Sequence, residues 1–242
     1  MDQAHSDLVN AIDSANNGGL EIVTGSRDGF VKVWDSRTSE AVLSVPPLTG
    51  STDCWTVCFG TNHPNSDRVV VAGYETGLVR LIDLRVNKVR WEKDIKNGVC
   101  HVSFDRKDIN MNKLSVACMN GFLNIYDMRT YNEQSGFAGL ECIVGKTTLW
   151  GCHFLPQDRE IMATCGGNGQ MNMYRYSYPM KRSIENQDGS RLGVAGSLEC
   201  IGKSECLTTQ PLVSFDWNRD KRGLFATVSF DQILTIGICA NL

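Results

Sequence analysis

Five stretches of this chain can be laid over one another without a gap: Thr24 to Asp35 (TGSRDGFVKVWD), Ala72 to Asp83 (AGYETGLVRLID), Val116 to Asp127 (VACMNGFLNIYD), Thr164 to Arg175 (TCGGNGQMNMYR) and Thr227 to Ile238 (TVSFDQILTIGI). A repeat constrains the fold strongly, because every copy must bury its apolar residues in the same way. The copies end at residues 35, 83, 127, 175 and 238, spaced by 48, 44, 48 and 63 residues. In four of them the turn carries a glycine, at Gly29, Gly77, Gly121 or Gly169, where the backbone needs positive φ. A second apolar run precedes each copy: VNAI (9 to 12), WTVCF (55 to 59), VCHVSF (99 to 104), LWGCHF (149 to 154) and LVSFDW (212 to 217). A third follows four of them: AVLSV (41 to 45), KVRWE (88 to 92), GLECI (139 to 143) and, after an insertion, SLECI (197 to 201). Helical periodicity is absent. The unit is therefore four short strands, and a hairpin such as residues 24 to 37 is marginal in water unless neighbouring units cover its faces.

Four strands repeating about every 45 residues and ending in Trp-Asp are the blade of a β-propeller. The chain is read as one all-β propeller domain with blades over residues 5–45, 54–93, 98–143, 147–202 and 210–242. Blade 1 resembles the WD-repeat pattern in detail, with His5 twenty-nine residues before Trp34, and Thr24 and Asp28 between them. That resemblance implies a buried relay in which Asp28 orients the His5 imidazole, His5 reaches Thr24, and the Thr24 hydroxyl meets the Trp34 indole N–H. Such a network is favourable when every member is satisfied. Blade 3 has Asn120 and Tyr126 at two of these places, and blade 5 has Asp231 without a Trp.

The resemblance extends further. DCWTVCFG, NGVCHVSFDRKDINMNKL, YDMR, GVAGS, TTQP, DKRGL and SFDQ, with the stretch from residue 24, are similar to the WD-repeat family of axonemal dynein assembly factors over nearly all of residues 5 to 238. The resemblance implies a seven-bladed propeller without catalytic activity or a cofactor. It implies a cytoplasmic adaptor between client dynein chains and a co-chaperone assembly of RuvB-like ATPases, tetratricopeptide proteins and prefoldin-like subunits. Only five blade copies of that expected seven are visible, so an N-terminally truncated chain or incomplete gene model is expected, with two open edges. A closed five-bladed ring is the competing expectation.

The candidates for chemistry read as structure. CGGNGQ (165 to 170) looks like a phosphate loop, but it occupies the place of SRDG in blade 1 and no helix follows it to hold an anion. His101 and His153 alternate with apolar residues, whereas a metal site needs three or four converging ligands. Neither a Gly-x-Ser-x-Gly elbow nor a His-Glu-x-x-His pair occurs. Of ten cysteines, Cys54, Cys58, Cys100, Cys118, Cys152, Cys165 and Cys239 lie in apolar runs and read as buried thiols of a reducing compartment. There is no Cys-x-x-Cys pair and no Asn-x-Ser/Thr sequon. The net charge of -3 comes without a block of like charge, so no nucleic-acid or membrane partner is expected, and no basic-then-apolar leader opens the chain.

Two features point to partners. Blade 1 ends Asp35-Ser36-Arg37, and Asp83-Leu84-Arg85 and Asp127-Met128-Arg129 repeat that ending. It resembles the box by which substrate receptors dock on the adaptor of cullin-4 ubiquitin ligases, through an exposed Arg. This makes Arg37, Arg85 and Arg129 candidate partner-binding residues, against a local Asp–Arg pair at the blade rim. The second feature is the insertion from Ser177 to Gln210, whose first part, KRSIENQDGSRLG, reads as a mobile loop or a partner-specific contact.

Overall fold

A computed structural model of the chain describes residues 4–15, 20–38, 40–48, 53–60, 68–185, 191–204, 206–240 and 242. The described residues contain 21 strands and no helix, so none of them forms a helix able to cross a membrane. Blade 1 is β1 (Val9–Ser14), β2 (Glu21–Ser26), β3 (Val31–Asp35) and β4 (Ala41–Val45), in spatial order 1-2-3-4. Blade 2 is β5 (Cys54–Phe59), β6 (Val69–Tyr74), β7 (Leu78–Asp83) and β8 (Lys88–Asp94). Blade 3 is β9 (Val99–Phe104), β10 (Lys113–Cys118), β11 (Phe122–Asn132) and β12 (Gly136–Ile143). Blade 4 is β13 (Leu149–Leu155), β14 (Asp158–Gly166), β15 (Met171–Ser177) and β18 (Ser197–Lys203), interrupted by a separate two-stranded hairpin, β16 (Ser183–Glu185) with β17 (Arg191–Gly193). Blade 5 is β19 (Leu212–Trp217), β20 (Leu224–Ser229) and β21 (Leu234–Ile238). Among the described residues the protein is all-β, with five blade copies of the propeller kind, each an antiparallel meander.

The repeated register explains why these residues make these strands. Thr24 lies opposite Lys32, Ala72 opposite Arg80, Val116 opposite Asn124, Thr164 opposite Asn172 and Thr227 opposite Thr235. Each hairpin thus turns at the same place, and Gly29, Gly77, Gly121 and Gly169 adopt φ between +72° and +95° there. At Gly121 a side chain would also collide with the carbonyl of Gly145, 2.2 Å from its Cβ, so glycine is required twice over.

Two compact units divide the chain between β9 and β10, residues 1–111 and 112–242. In the first, Val23, Val31, Val33 and Val45 of blade 1 pack with Cys54, Val57, Phe59, Val70, Ala72, Tyr74 and Ile82 of blade 2. Here Asp13 accepts from the Phe59 N–H at 2.8 Å and pairs with Lys107 at 2.5 Å, so one carboxylate joins β1 to β5 and to the turn after β9. In the second, Ala117, Leu123 and Ile125 pack with Leu149, Cys152, Phe154, Met162, Tyr174 and Tyr176. A further cluster joins Ile161, Ala163, Cys165, Met171 and Met173 to Leu212, Phe215, Trp217 and Phe225. Every cysteine is a free thiol, and Cys54, Cys58, Cys118, Cys152 and Cys165 are buried. Burial pushes the thiols of Cys54, Cys58 and Cys165 up to about 12, which keeps them protonated and inert.

One expectation changes. The segment from Lys181 to Gly193, read as a mobile loop, contains an ordered hairpin pairing Ser183 with Gly193, Ile184 with Leu192 and Glu185 with Arg191. Residues 186–190, between the strands, lie outside the described residues. The polar composition hid the strands because their order comes from docking on blade 3 more than from their own propensity.

Candidate interaction surface

The side chains singled out in blade 1 meet on one face of its sheet. Thr24 lies opposite Ile12 on one side and Lys32 on the other, and Trp34 lies opposite Ile22, so Thr24 and Trp34 are diagonal neighbours on the same face. The Trp34 indole N–H donates to Thr24 Oγ1 at 2.9 Å, and His5 Nε2 lies 2.8 Å from the same oxygen. His5 Nδ1 lies 3.0 Å from Asp28 Oδ2, while the Phe30 and Ser6 N–H groups donate to the Asp28 carboxylate at 2.9 Å each. Burial alone would raise the Asp28 pKa, but these donors outweigh it and hold the carboxyl below its ordinary value. The His5 side chain is 1 % exposed, so its nitrogens are engaged in holding the blade together.

Equivalent places elsewhere are filled differently. The Thr24 column continues as Ala72, Val116, Thr164 and Thr227, and the Trp34 column as Ile82, Tyr126, Tyr174 and Gly237. In blade 5 the Thr227 hydroxyl donates to the Ser214 carbonyl at 2.9 Å, and Asp231 is held low by the Ser229 hydroxyl. His153 sits edge-on to Phe215, ring centroids 4.8 Å apart. Among the described residues no three His, Cys, Asp or Glu side chains converge as metal ligands.

The acidic-x-Arg endings differ from one another. Arg37 folds back on Asp35 with Nε at 2.9 Å and Nη2 at 2.5 Å from its two oxygens. Arg85 does the same to Asp83, at 3.1 Å and 2.7 Å. In both, the acid also caps the backbone N–H two residues on, which makes the box a local Asx turn. The third box departs from this pattern. Asp127 accepts the Arg129 N–H at 3.0 Å but is fully buried, its charge partner is Arg182 of the insertion at 3.6 Å, and Arg129 is exposed.

The Arg37 side chain donates to Asp35, and its backbone N–H and charge add to this, lowering the Asp35 pKa to about 2. A folded value below the unfolded one means that the pair contributes above the ordinary carboxylate range and loses its contribution as pH falls through about 2. Carboxyl chemical shifts followed by NMR should give that midpoint. Arg37→Ala should raise it toward 3.8 without reaching it, because the backbone N–H of residue 37 still donates.

The inserted hairpin supplies residues that the sequence alone does not single out. Lys113 is fully buried, its Nζ 2.5 Å from the Tyr178 hydroxyl and 5.4 Å and 5.5 Å from the ring centroids of Tyr176 and Phe154. The Arg182 guanidinium stacks 4.5 Å above the Tyr178 ring. Asn132 donates to the Arg191 carbonyl at 2.9 Å, and Gly193 lies so close to blade 3 that a Cβ would come 2.7 Å from Thr130 Cβ and 2.9 Å from Ala138 Cβ. The one sequence signal was Lys113 itself, a charge at a repeat position that holds Val69 in blade 2 and Ile161 in blade 4.

Residues 2–35 match the family model described as WD domain, G-beta repeat. The chain is 44 % identical over 249 residues to Dynein axonemal assembly factor 10 of Chlamydomonas reinhardtii, covering 99 % of this chain and 69 % of that protein. It is 44 % identical to the Homo sapiens protein of the same name over 248 residues and 46 % identical to that of Danio rerio over 250, with the same coverage. Similarity that runs from end to end of this chain, on a blade architecture with the WD-repeat hairpin register, means that the chain belongs to the dynein axonemal assembly factor 10 family of WD-repeat proteins.

Proposed function

We propose that this chain is a non-enzymatic protein-interaction scaffold that serves axonemal dynein assembly in the cytoplasm. The observation that carries the reading is the likeness to Dynein axonemal assembly factor 10 over 99 % of the chain. The use of the polar side chains agrees with it, since His5, Thr24, Asp28 and Trp34 satisfy one another. The scaffold binds proteins: on one side a co-chaperone assembly of RuvB-like ATPases, tetratricopeptide proteins and prefoldin-like subunits, on the other the client dynein chains. Propeller rims suit this work, offering broad rigid surfaces on which a few anchors carry most of the binding energy.

The exposed Arg129 favours a second reading, docking on the adaptor of a cullin-4 ubiquitin ligase through the acidic-x-Arg endings. Affinity purification of the full chain from ciliating cells separates the two. Dynein chains with RuvB-like ATPases are the expected recovery, unchanged when Arg37, Arg85 and Arg129 are all replaced by Ala. Recovery of cullin-4 and its adaptor without RuvB-like ATPases, lost in the triple variant, would replace the first reading by the second.

A further inference from the structure

The three acidic-x-Arg boxes share one backbone arrangement and differ in the arginine that holds the acid. In blade 1 the Ser36 N–H donates to the Leu20 carbonyl at 2.8 Å, in blade 2 the Leu84 N–H donates to the Arg68 carbonyl at 2.9 Å, and in blade 3 the Met128 N–H donates to the Asn112 carbonyl at 2.8 Å. The acid then caps the N–H two residues on in all three, at 3.0 Å, 2.9 Å and 3.0 Å. The backbone therefore presents Arg129 to Asp127 as it presents Arg37 to Asp35 and Arg85 to Asp83. Only the Arg129 side chain stays away, exposed and, among the described residues, without a hydrogen bond or ion pair.

Arg182 of the inserted hairpin plays the part that Arg37 and Arg85 play, and it plays it loosely. Its Nη1 is 3.6 Å from Asp127 Oδ1, too long for a hydrogen bond, and neither that nitrogen nor Asp127 Oδ2, both buried, has a hydrogen-bond partner among the described residues. Blade 2 shows the alternative. There β7 runs into β8 through residues 84–87, and Arg85 alone grips both oxygens of Asp83, which is 5 % exposed. One carboxylate neutralises one guanidinium, and a second brought to the same oxygens adds a like charge, so Arg182 and Arg129 compete for Asp127.

We propose that Asp127 is held in turn by two arginines, Arg182 while the inserted hairpin lies on blade 3 and Arg129 when the hairpin lifts. Arg129 then folds back as Arg85 does, by side-chain rotation alone, and Asp127 has a cation in both states. Lifting the hairpin therefore costs less than stripping a buried carboxylate of its partner. Docking of the hairpin and presentation of Arg129 to an acidic partner become one equilibrium, so a carboxylate that takes Arg129 holds the hairpin down.

Hydrogen exchange of the full chain tests this at the Val194 amide, which donates to the Arg182 carbonyl at 2.8 Å and reports lifting of the hairpin. Arg129→Ala removes the substitute cation from the lifted state alone. Val194 should then exchange about three- to tenfold more slowly, although no contact of the hairpin has changed. Unfolding of the two single variants and the double variant gives an independent reading. In Arg182→Ala the other arginine takes Asp127, and in Arg129→Ala the present pair persists, whereas the double variant leaves a buried carboxylate without a cation. Its unfolding constant should exceed the product of the two single effects by about tenfold, and a double variant that fails to fold beside two folded single ones is the same result carried further. Val194 exchange that is unchanged or faster in Arg129→Ala overturns the proposal, and so does a cycle in which the two effects simply multiply.

Discussion

Thr24→Val should lower the stability of the protein by about 2–6 kcal/mol, the sum of two buried polar groups left without a partner at about 1–3 kcal/mol each. Valine keeps the shape of threonine and removes only the oxygen. That oxygen accepts from the Trp34 indole at 2.9 Å and meets His5 Nε2 at 2.8 Å, and both rings are almost fully buried. No neighbouring group offers a replacement, since Asp28 is already engaged with the Phe30 and Ser6 N–H groups and with His5 Nδ1. A fall in melting temperature of roughly 4–24 °C follows for a chain of this size. Trp34→Phe removes the donor, so adding it to Thr24→Val should cost clearly less than the two single effects summed. Strict additivity in that cycle would show that the relay does not act as a unit.

Tyr178→Ala should cost about 2–4 kcal/mol, somewhat below the range for a core aromatic because the side chain is half-buried. The ring meets two cations, Lys113 at 4.6 Å and Arg182 at 4.5 Å from its centroid, and Tyr176 edge-on at 5.2 Å. Tyr178→Phe isolates the hydroxyl, which accepts from the Lys113 ammonium at 2.5 Å, and should cost about 1.5–3 kcal/mol because the lost bond is charge-assisted. Burying an ammonium is tolerable only while its hydrogen bonds are made, so Lys113→Met in the Tyr178→Phe background should recover part of the loss. Hydrogen exchange gives a second measure. The Val194 amide, which donates to the Arg182 carbonyl at 2.8 Å, should exchange faster in Tyr178→Ala as the hairpin leaves blade 3. Unchanged protection there would mean that the hairpin is held by Gly193 and Asn132 without the tyrosine.

The repeat was legible because its determinants are local. Period-two alternation, a turn glycine and a constant hairpin register act over a dozen residues, and five copies of one pattern reinforce a signal that a single strand would not carry. The positions of His5, Thr24, Asp28 and Trp34 were picked out by their resemblance to the WD-repeat pattern, and the hairpin register that makes 24 and 34 diagonal neighbours agrees with it. The partners of the charged side chains were another matter. Asp35 and Asp127 stand at the same repeat position, one held by the Arg two residues on and the other, fully buried, by Arg182 of the insertion.

Amino-acid order alone determined the strand meander, the number of blade copies and the columns that are apolar, since these rest on the geometry of neighbouring residues along one chain. Only the tertiary structure decided which of those columns are covered, that a polar insertion pairs into a hairpin, and that Lys113 is buried against Tyr178, 65 residues away. Those outcomes depend on distances between side chains of different blades, where a shift of about one ångström separates a hydrogen bond from an unsatisfied group, and no local pattern encodes such a distance.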